Sequence, residues 1–572
     1  MDGMVVRRSR HAARRPGRAG TGAGALLLAG LCAGFLPAAA ASTTAPMLTK
    51  PVQATKADTD PARTYTSPSI AVDPEDSNVF VMGYVEARSR RCGLMRSMNA
   101  GQTWTKLDAS PATPSFPDCF VISGNVDMAP IAFGRHHALY YALSGYDDGD
   151  GGQNNGNISV LLARSTDLGN TWTTTVVRNA RGKTGADAET SRPVSDLAVD
   201  TSGPTDIVYV AWRADYRQTS SPNATPREAD VAVSTDEGKT FGPPVNVGAP
   251  AWAQPSIRQA ALATITTVPG AAPPAAGSKA ATPDQPGNFG SSNPSLAVDG
   301  KGKVYVSWPA AYTNISPTPL PAIWLSTSTD HGKTYSASPV TPFQAGLSTF
   351  GTQRLRWSPK GGPDGSLHLV YEGTTQPTVS GATDAFYEGS TDGGKTWSKP
   401  RALNDDDPKA IYPQNSPNLS IAPNGRIDVV WFDARNDPGI RAQDVYMTSS
   451  TDNGATWAKN TRVTDQLINR KIGIWANGYD VAVPPGVAST DKLTVVGWDD
   501  TRNFNELTQG QDLYTSEAQF ATLGGGPSKA AKVALAAVGA VAILGLILLA
   551  VSLATRTRPT PPAKTPAQPV RV

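Results

Sequence analysis

An octapeptide recurs six times along this chain and constrains its fold more than any other feature. One copy is "STDGGKTW" at residues 390–397, and the others begin at Ser97, Ser165, Ser234, Ser328 and Ser450. Each copy ends a longer pattern of short apolar stretches separated by Gly, Asp and Asn turns, as in "NPSLAVDGKGKVYVSW" before "IWLSTSTDHGKTY". This pattern predicts one four-stranded antiparallel sheet per repeat. Sheets repeated in this way form a β-propeller.

A seventh sheet is predicted after the last octapeptide. "GYDVAVPPGVASTDKLTVVGWDD" supplies two strands and "QDLYTSEAQF" supplies a third, but no fourth strand follows. We expect "MLTKPVQA" at residues 47–54 to complete this sheet, because an unclosed propeller leaves a sheet edge exposed. The predicted fold class is therefore an all-β propeller of seven four-stranded blades, with six blades as the alternative.

The residues of the octapeptide suit a tight turn. Gly394 can adopt the positive φ that such a turn requires, while Ser390 and Asp392 can accept hydrogen bonds from backbone N–H groups. A lone carboxylate on each of several separate blades cannot converge on one metal ion. We therefore predict a structural role for the acidic position of each copy. These positions are Asn99, Asp167, Asp236, Asp330, Asp392 and Asp452.

The S-x-D-x-G-x-T-W repeats resemble the Asp-boxes, or BNR repeats, of sialidases and related propellers, over roughly residues 67–517. The resemblance implies the propeller fold but no single activity, since Asp-box propellers include hydrolases, sorting receptors and assembly factors. A sialidase would use three arginines, a tyrosine nucleophile with a glutamate, and an aspartate as general acid/base. Thr66 stands where the family's first arginine usually stands. The substitute set would be Arg63, Arg192 and Arg354 for the carboxylate, with Tyr479, Glu372 and Asp147 as catalytic residues.

A ligand site is expected on the rim opposite the octapeptides. If each blade runs from its inner strand outwards, that rim collects the starts of first strands and the ends of second strands. The candidate ligand-binding residues are Arg63, Arg192, Arg354, Asp433, Arg435, Asp499 and Arg502. An alternative remains for Asp433, Arg435, Asp499 and Arg502, because "WFDARND" and "WDDTRN" repeat the same set and can form a salt-bridged loop staple.

No cofactor is required by these patterns. The loop "DDGDGGQNNGN" offers Asp148 and Asp150 as calcium ligands, although acidic loops rich in Gly and Asn are also common without a metal. Cys92 and Cys119 form the one even pair of cysteines outside the leader, so an exported chain predicts a disulfide between them.

The two ends of the chain predict its location. Residues 1–41 read as a signal peptide, 42–520 as the propeller ectodomain, 521–532 as a linker, 533–555 as a transmembrane helix and 556–572 as a basic cytoplasmic tail. These features place the propeller outside the cell membrane. A net charge of +3 without basic clusters in the ectodomain argues against nucleic acid as a partner.

The expected function is recognition of an extracellular glycan or protein at the cell surface. The alternative is an exo-α-sialidase or related glycoside hydrolase with a rearranged arginine set, so enzyme status stays open. A non-catalytic envelope scaffold is the second alternative.

Overall fold

The structure is a computed structural model. It describes residues 45–88, 91–107, 121–122, 125–126, 130–145, 159–178, 189–191, 194–216, 227–252, 289–291, 293–312, 323–340, 353–374, 383–407, 409–473, 483–508 and 510–520. No helix among these residues is long and apolar enough to cross a membrane. The predicted signal peptide, linker, transmembrane helix and cytoplasmic tail all lie outside the described residues.

Seven antiparallel sheets, numbered blades 1 to 7 along the chain, contain nearly all of the described strands. The first strands are Tyr65–Val72, Ile131–Phe133, Val194–Asp200, Ser295–Val298, Gln353–Ser358, Gln414–Ile421 and Gly486–Ser489. The second strands are Phe80–Glu86, Leu139–Gly145, Ile207–Tyr216, Val304–Tyr312, Ser366–Gly373, Ile427–Asp433 and Leu493–Asp500. The third strands are Arg91–Ser97, Ser159–Ser165, Arg227–Ser234, Ile323–Ser328, Asp384–Ser390, Ala442–Ser450 and Asp512–Gln519.

Blades 1 to 6 each end in a short outer strand. These fourth strands are Thr105–Lys106, Thr173–Arg178, Val245–Asn246, Ser336–Pro339, Arg401–Ala402 and Thr461–Arg462. Glu189–Ser191, Phe289–Ser291 and Ile468–Asn469 extend blades 3, 4 and 6. The remaining described elements are the hairpin Val121–Ile122 with Asn125–Val126 and the one-turn helix Ala249–Trp252.

The start of the chain completes blade 7, as predicted. Met47–Leu48 and Val52–Gln53 pair antiparallel with Asp512–Gln519, so that Met47 lies opposite Gln519. Blade 7 is thereby closed by a segment far away in sequence, and the prediction of seven blades is confirmed. The six-blade alternative is excluded.

The closing segment repeats the bonding of an ordinary fourth strand. Thr55 Oγ1 donates to Asp512 Oδ1 at 2.7 Å, just as Thr464 Oγ1 donates to Asp444 Oδ1 at 2.6 Å in blade 6. Residues 52–55 therefore take the same place in blade 7 that residues 461–464 take in blade 6.

Apolar side chains pack between neighbouring blades. The second strand of blade 6, Ile427–Asp433, is buried along its whole length because it has another sheet on each face. One such interface holds Trp308 and Trp324, whose rings stack at 5.7 Å. Since each fully buried Val, Leu or Ile contributes ~1.5–3 kcal/mol, these interfaces form the core of the molecule.

Each octapeptide is a turn closed by its own side chains. In blade 5, Gly394 N–H donates to Ser390 Oγ at 2.9 Å and Ser390 Oγ donates to Asp392 Oδ1 at 2.8 Å. Thr396 Oγ1 donates to Asp392 Oδ2 at 2.6 Å. In blade 1, Asn99 takes the acidic position, and its Nδ2 donates to Thr103 Oγ1 at 3.0 Å. The carboxylate is thus satisfied inside its turn.

The glycine of each octapeptide also meets a neighbouring blade. Gly394 has φ +85°, and a Cβ there would lie 2.2 Å from Leu325 Cδ2 on the third strand of blade 4. Gly454 of blade 6 approaches Tyr387 of blade 5 in the same way, and Gly101 of blade 1 approaches Val495 of blade 7. Glycine is therefore required both for the turn and for the fit between blades.

Two substitutions in the octapeptide of blade 5 separate the need for a positive φ from the need for space between blades. Gly393 also has a positive φ of +72°, but a Cβ there meets only Tyr305 Oη, at 3.5 Å. We expect Gly393→Ala to lower the free energy of unfolding by ~1–2 kcal/mol through backbone strain. Gly394→Ala should cost a further ~1–3 kcal/mol because Leu325 must move. Urea unfolding followed by tryptophan fluorescence measures both, and equal losses would contradict the packing role of Gly394.

The octapeptides should also make the protein sensitive to acid. Burial raises the pKa of Asp392, but hydrogen bonds from Thr396, Ser390 and the Lys395 N–H outweigh this and lower the pKa to about 2. Because the folded pKa lies below the unfolded value of ~3.9, the resulting stabilisation is present above pH ~4 and is lost as the pH falls towards 2.

Asp392→Asn tests this sensitivity, since Asn99 shows that an amide supports the same turn. The variant has no carboxyl to protonate at this position, so its melting temperature should fall less between pH 5 and pH 2.5 than that of the wild type. A constant difference across this range would contradict the prediction.

Candidate functional site

The octapeptides follow the third strands, so they lie at the rim where first and second strands are joined. We call this the octapeptide rim. At the opposite rim, first strands begin and second strands end, as the pairing of Tyr65 with Glu86 and of Gln414 with Asp433 shows. The described candidate residues lie on this opposite rim or on the first strands below it.

Arg435 belongs to a salt-bridged cluster in blade 6. Its Nη2 lies 2.8 Å from Asp433 Oδ2 and its Nη1 lies 2.7 Å from Asp405 Oδ1. The guanidinium also stacks on the Tyr446 ring at 4.3 Å. Burial lowers the pKa of Arg435, but the bonds to Asp433 and Asp405 outweigh this and raise the pKa above its ordinary value.

Blade 7 repeats this cluster around Arg502. Its Nη2 lies 2.7 Å from Asp500 Oδ2, its Nη1 lies 2.9 Å from Asp465 Oδ1, and the guanidinium stacks on Tyr514 at 4.1 Å. Arg435 and Arg502 are thus each held by one carboxylate of their own blade and by one from the segment that links the preceding blade to it. These contacts have the geometry of a salt-bridged loop staple, which is the alternative that the sequence analysis gave for these residues.

Arg63 and Asp499 tie blade 7 to blade 1. Arg63 Nε lies 2.6 Å from Asp512 Oδ1 on the third strand of blade 7. Asp499 Oδ2 accepts hydrogen bonds from Gln511 Nε2 at 2.8 Å and from Thr66 Oγ1 at 3.2 Å. The contacts found for Arg63 therefore join the ends of the ring and do not bring it to Arg354.

The predicted catalytic set is only partly described. Glu372 is the next-to-last residue of the second strand of blade 5, where its Oε2 accepts the Ser416 N–H at 3.3 Å. Tyr479, Asp147 and Arg192 lie outside the described residues, as do Asp148, Asp150 and Cys119. Cys92 is disulfide-bonded. Among the described residues, no group of three or more His, Cys, Asp or Glu is arranged to hold a metal ion.

One carboxylate of blade 3 is ion-paired with Arg356 of blade 5 and is also influenced by the charge of Arg354. Arg356 Nη1 lies 2.9 Å from Asp196 Oδ2, which also accepts Ser295 Oγ–H at 2.6 Å and Leu296 N–H at 2.9 Å. Burial raises the pKa of Asp196, but the charges of Arg356 and Arg354 outweigh this and lower it. Burial lowers the pKa of Arg354 to about 10.

Three first strands begin with an unusual backbone at the opposite rim. Ser67, Asn293 and Ser416 have φ of 58°, 35° and 52°, and each directly precedes a proline. A positive φ is uncommon for residues other than glycine, and a residue before proline normally adopts an extended conformation. Strained residues of this kind cluster at ligand-binding sites.

Buried oxygen atoms without partners lie at the same rim. Ser67 Oγ, Gln353 Oε1 and Gln511 Oε1 make no hydrogen bond to any described residue. The three residues are 1%, 1% and 0% exposed. Buried polar atoms are nearly always paired, so these three require an explanation. Sequence reasoning missed all three, although for Ser67 the recurrence of Ser-Pro and Asn-Pro at the starts of strands was a visible signal.

No protein-family model matches the chain, and neither does any curated protein. Among solved structures, it is similar to the Penicillium chrysogenum alpha-L-arabinanase at 13% identity and a TM-score of 0.38, over 73% of this chain and 99% of that one. It is similar to the Trypanosoma rangeli sialidase at 13% identity and a TM-score of 0.37, over 69% of this chain and 55% of that one. It is similar to the GH74 xyloglucanase from Xanthomonas campestris at 16% identity and a TM-score of 0.38, over 77% of this chain and 57% of that one. These three neighbours are glycoside hydrolases.

Substitution of Asp196 tests its ion pair with Arg356. Asp196→Asn leaves the half-buried Arg356 without its carboxylate, so we expect a loss of ~1–3 kcal/mol in the free energy of unfolding. Asp200→Asn on the same strand is the matched control, because the contact found for Asp200 is a hydrogen bond from the Ser202 N–H.

The double variant Asp196→Asn/Arg356→Met should regain part of the loss, since it removes the guanidinium that the first substitution leaves without its carboxylate. Urea unfolding of the four proteins decides the outcome. Equal losses for Asp196→Asn and Asp200→Asn would contradict the role given to this ion pair.

Proposed function

We propose that this protein recognises an extracellular glycan on the rim opposite the octapeptides. The observation that carries the proposal is the set of unpaired buried oxygens, Ser67 Oγ, Gln353 Oε1 and Gln511 Oε1, beside strained first-strand residues. Amide oxygens accept hydrogen bonds and a serine hydroxyl both donates and accepts. When these side chains turn towards the rim, a ligand rich in hydroxyl groups can pair with their oxygens, and a glycan is the common extracellular ligand of this kind.

The paired arginines support binding through hydroxyl groups rather than through a cluster of three arginines. Arg63, Arg435 and Arg502 are each held by at least one carboxylate. A ligand carboxylate would have to displace these partners, which costs the free energy of a hydrogen-bonded ion pair. Hydroxyl recognition needs no such exchange.

A surface location agrees with this proposal. The third strand of blade 7 runs from Asp512 to Gln519 and ends at the octapeptide rim. The predicted linker 521–532 and transmembrane helix 533–555 follow directly, so a membrane anchor would attach at that rim. The opposite rim would then remain open to ligands outside the cell, with the tail 556–572 in the cytoplasm.

Binding to a printed array of neutral and sialylated oligosaccharides tests the proposal with purified full-length protein. Ser67→Ala should weaken binding of the best oligosaccharide by about 2- to 12-fold, because one hydrogen bond contributes ~0.5–1.5 kcal/mol. The melting temperature should stay the same or rise, since the hydroxyl has no partner in the free protein.

Ser358→Ala is the matched control, because Ser358 ends a first strand at the octapeptide rim and accepts the Lys360 N–H there. It should leave glycan binding unchanged. Absence of any glycan binding would refute the proposal and favour the envelope scaffold.

Hydrolysis is the other outcome of interest. Release of the fluorophore from an aryl sialoside, lost in Tyr479→Phe, would favour the exo-α-sialidase alternative with Tyr479, Glu372 and Asp147 as catalytic residues. No release together with stable binding would support recognition alone.

A further inference from the structure

The first strands of all seven blades line a cavity of about 370 Å³ at the centre of the ring. Its lining includes residues 69–72 of blade 1, 196–199 of blade 3 and 418–421 of blade 6. These residues form the later parts of their strands, which run towards the octapeptide rim. The cavity is therefore separate from the unpaired oxygens at the opposite rim.

One ring of equivalent positions creates the space. Each position directly follows the apolar residue that packs between blades, such as Ile70, Leu296 or Leu355. In blade order, the ring consists of Ala71, Ala132, Ala198, Ala297, Arg356, Ser420 and Ala488. Six of the seven side chains are small and one is an arginine, so Arg356 reaches into a space that its neighbours leave empty.

Arg356 uses only part of its guanidinium to hold itself in place. Nη1 contacts Asp196 Oδ2 at 2.9 Å and donates to the Leu355 carbonyl at 2.8 Å. Nε and Nη2 make no hydrogen bond to any described residue, and the side chain is 33% exposed. These two nitrogens form the fork that binds a carboxylate through two parallel hydrogen bonds.

The cavity has a position for an anion beside Arg356. Arg356 and Asp196 are the charged residues of its described lining. The positive charge of Arg354 also acts on Asp196 and helps to lower the pKa of that carboxyl. Asp196 contacts Nη1 of Arg356, so the edge formed by Nε and Nη2 remains for the carboxylate of a ligand.

The next ring of side chains, nearer the octapeptide rim, is apolar at six of its seven positions. In blade order it consists of Val72, Phe133, Val199, Val298, Trp357, Ile421 and Ser489. Several members, including Val72, Trp357 and Ile421, are half-buried and line the cavity. A ligand that reaches Arg356 from this rim must pass through the apolar ring and lie against it.

We propose that this cavity binds a small monocarboxylic acid with an apolar body. The carboxylate accepts hydrogen bonds from Nε and Nη2 of Arg356, and the body packs against the ring around Trp357. The volume lies in the range of ligand pockets, which are mostly apolar with a few placed polar groups. This site is independent of the glycan site proposed above and lies nearer the other rim.

Calorimetry on full-length protein in nanodiscs, with empty nanodiscs subtracted, tests the proposal with three probes. These are 3-phenylpropionate, the uncharged 3-phenylpropanol and acetate. We expect 3-phenylpropionate to bind at least 10-fold more tightly than either other probe, because it alone has both the charge and the apolar body. Equal binding of the acid and the alcohol, or no binding of the acid, would overturn the proposal.

Arg356→Ala gives the ring the residue that five other blades carry, so it should fold. It should weaken binding of 3-phenylpropionate at least 10-fold, whereas Arg356→Lys should retain part of it. Ser420→Ala, at the same ring position in blade 6, is the matched control and should bind as the wild type does. Unchanged binding in Arg356→Ala would refute the site, and its glycan binding should remain intact because that site is separate.

Discussion

The whole structure depends on the pairing of residues 47–53 with the last strand of the ring. Val52 lies opposite Thr515 and Met47 opposite Gln519, so one sheet joins the two ends of the propeller. This pairing closes a very long loop, whose entropic cost must be offset by the contacts of Thr55, Arg63 and Asp512. Without it the last strand would expose an edge, and no closed channel would exist.

The arginines show that residue type alone does not define a site in this fold. Arg435 and Arg502 sit on the expected rim, yet carboxylates and tyrosine rings hold both of them as parts of loop staples. Arg356, two residues beyond the predicted Arg354, is the arginine that opens onto a cavity. The difference lies in the partners that folding brings, chiefly Asp196 from a blade two places away.

The repeated turns were predictable because their chemistry is local. The side chains of one octapeptide bond to one another within eight residues, as Ser390, Asp392, Gly394 and Thr396 do. The sequence pattern therefore predicts these contacts directly. The reach of Gly394 to Leu325 on the preceding blade was not predictable, since it depends on how two sheets pack. That Ser67 Oγ has no hydrogen-bond partner was not predictable from the sequence for the same reason.

The sequence by itself determined the all-β class and the rim on which the octapeptides lie, and it favoured seven blades over six, because strand alternation and turn chemistry act between near neighbours. It also named the segment that closes the ring. Only the tertiary structure decided which charged residues pair with each other and where a cavity remains. Those outcomes depend on side chains from different blades, such as Arg356 and Asp196, which meet only when the inner strands surround a common axis.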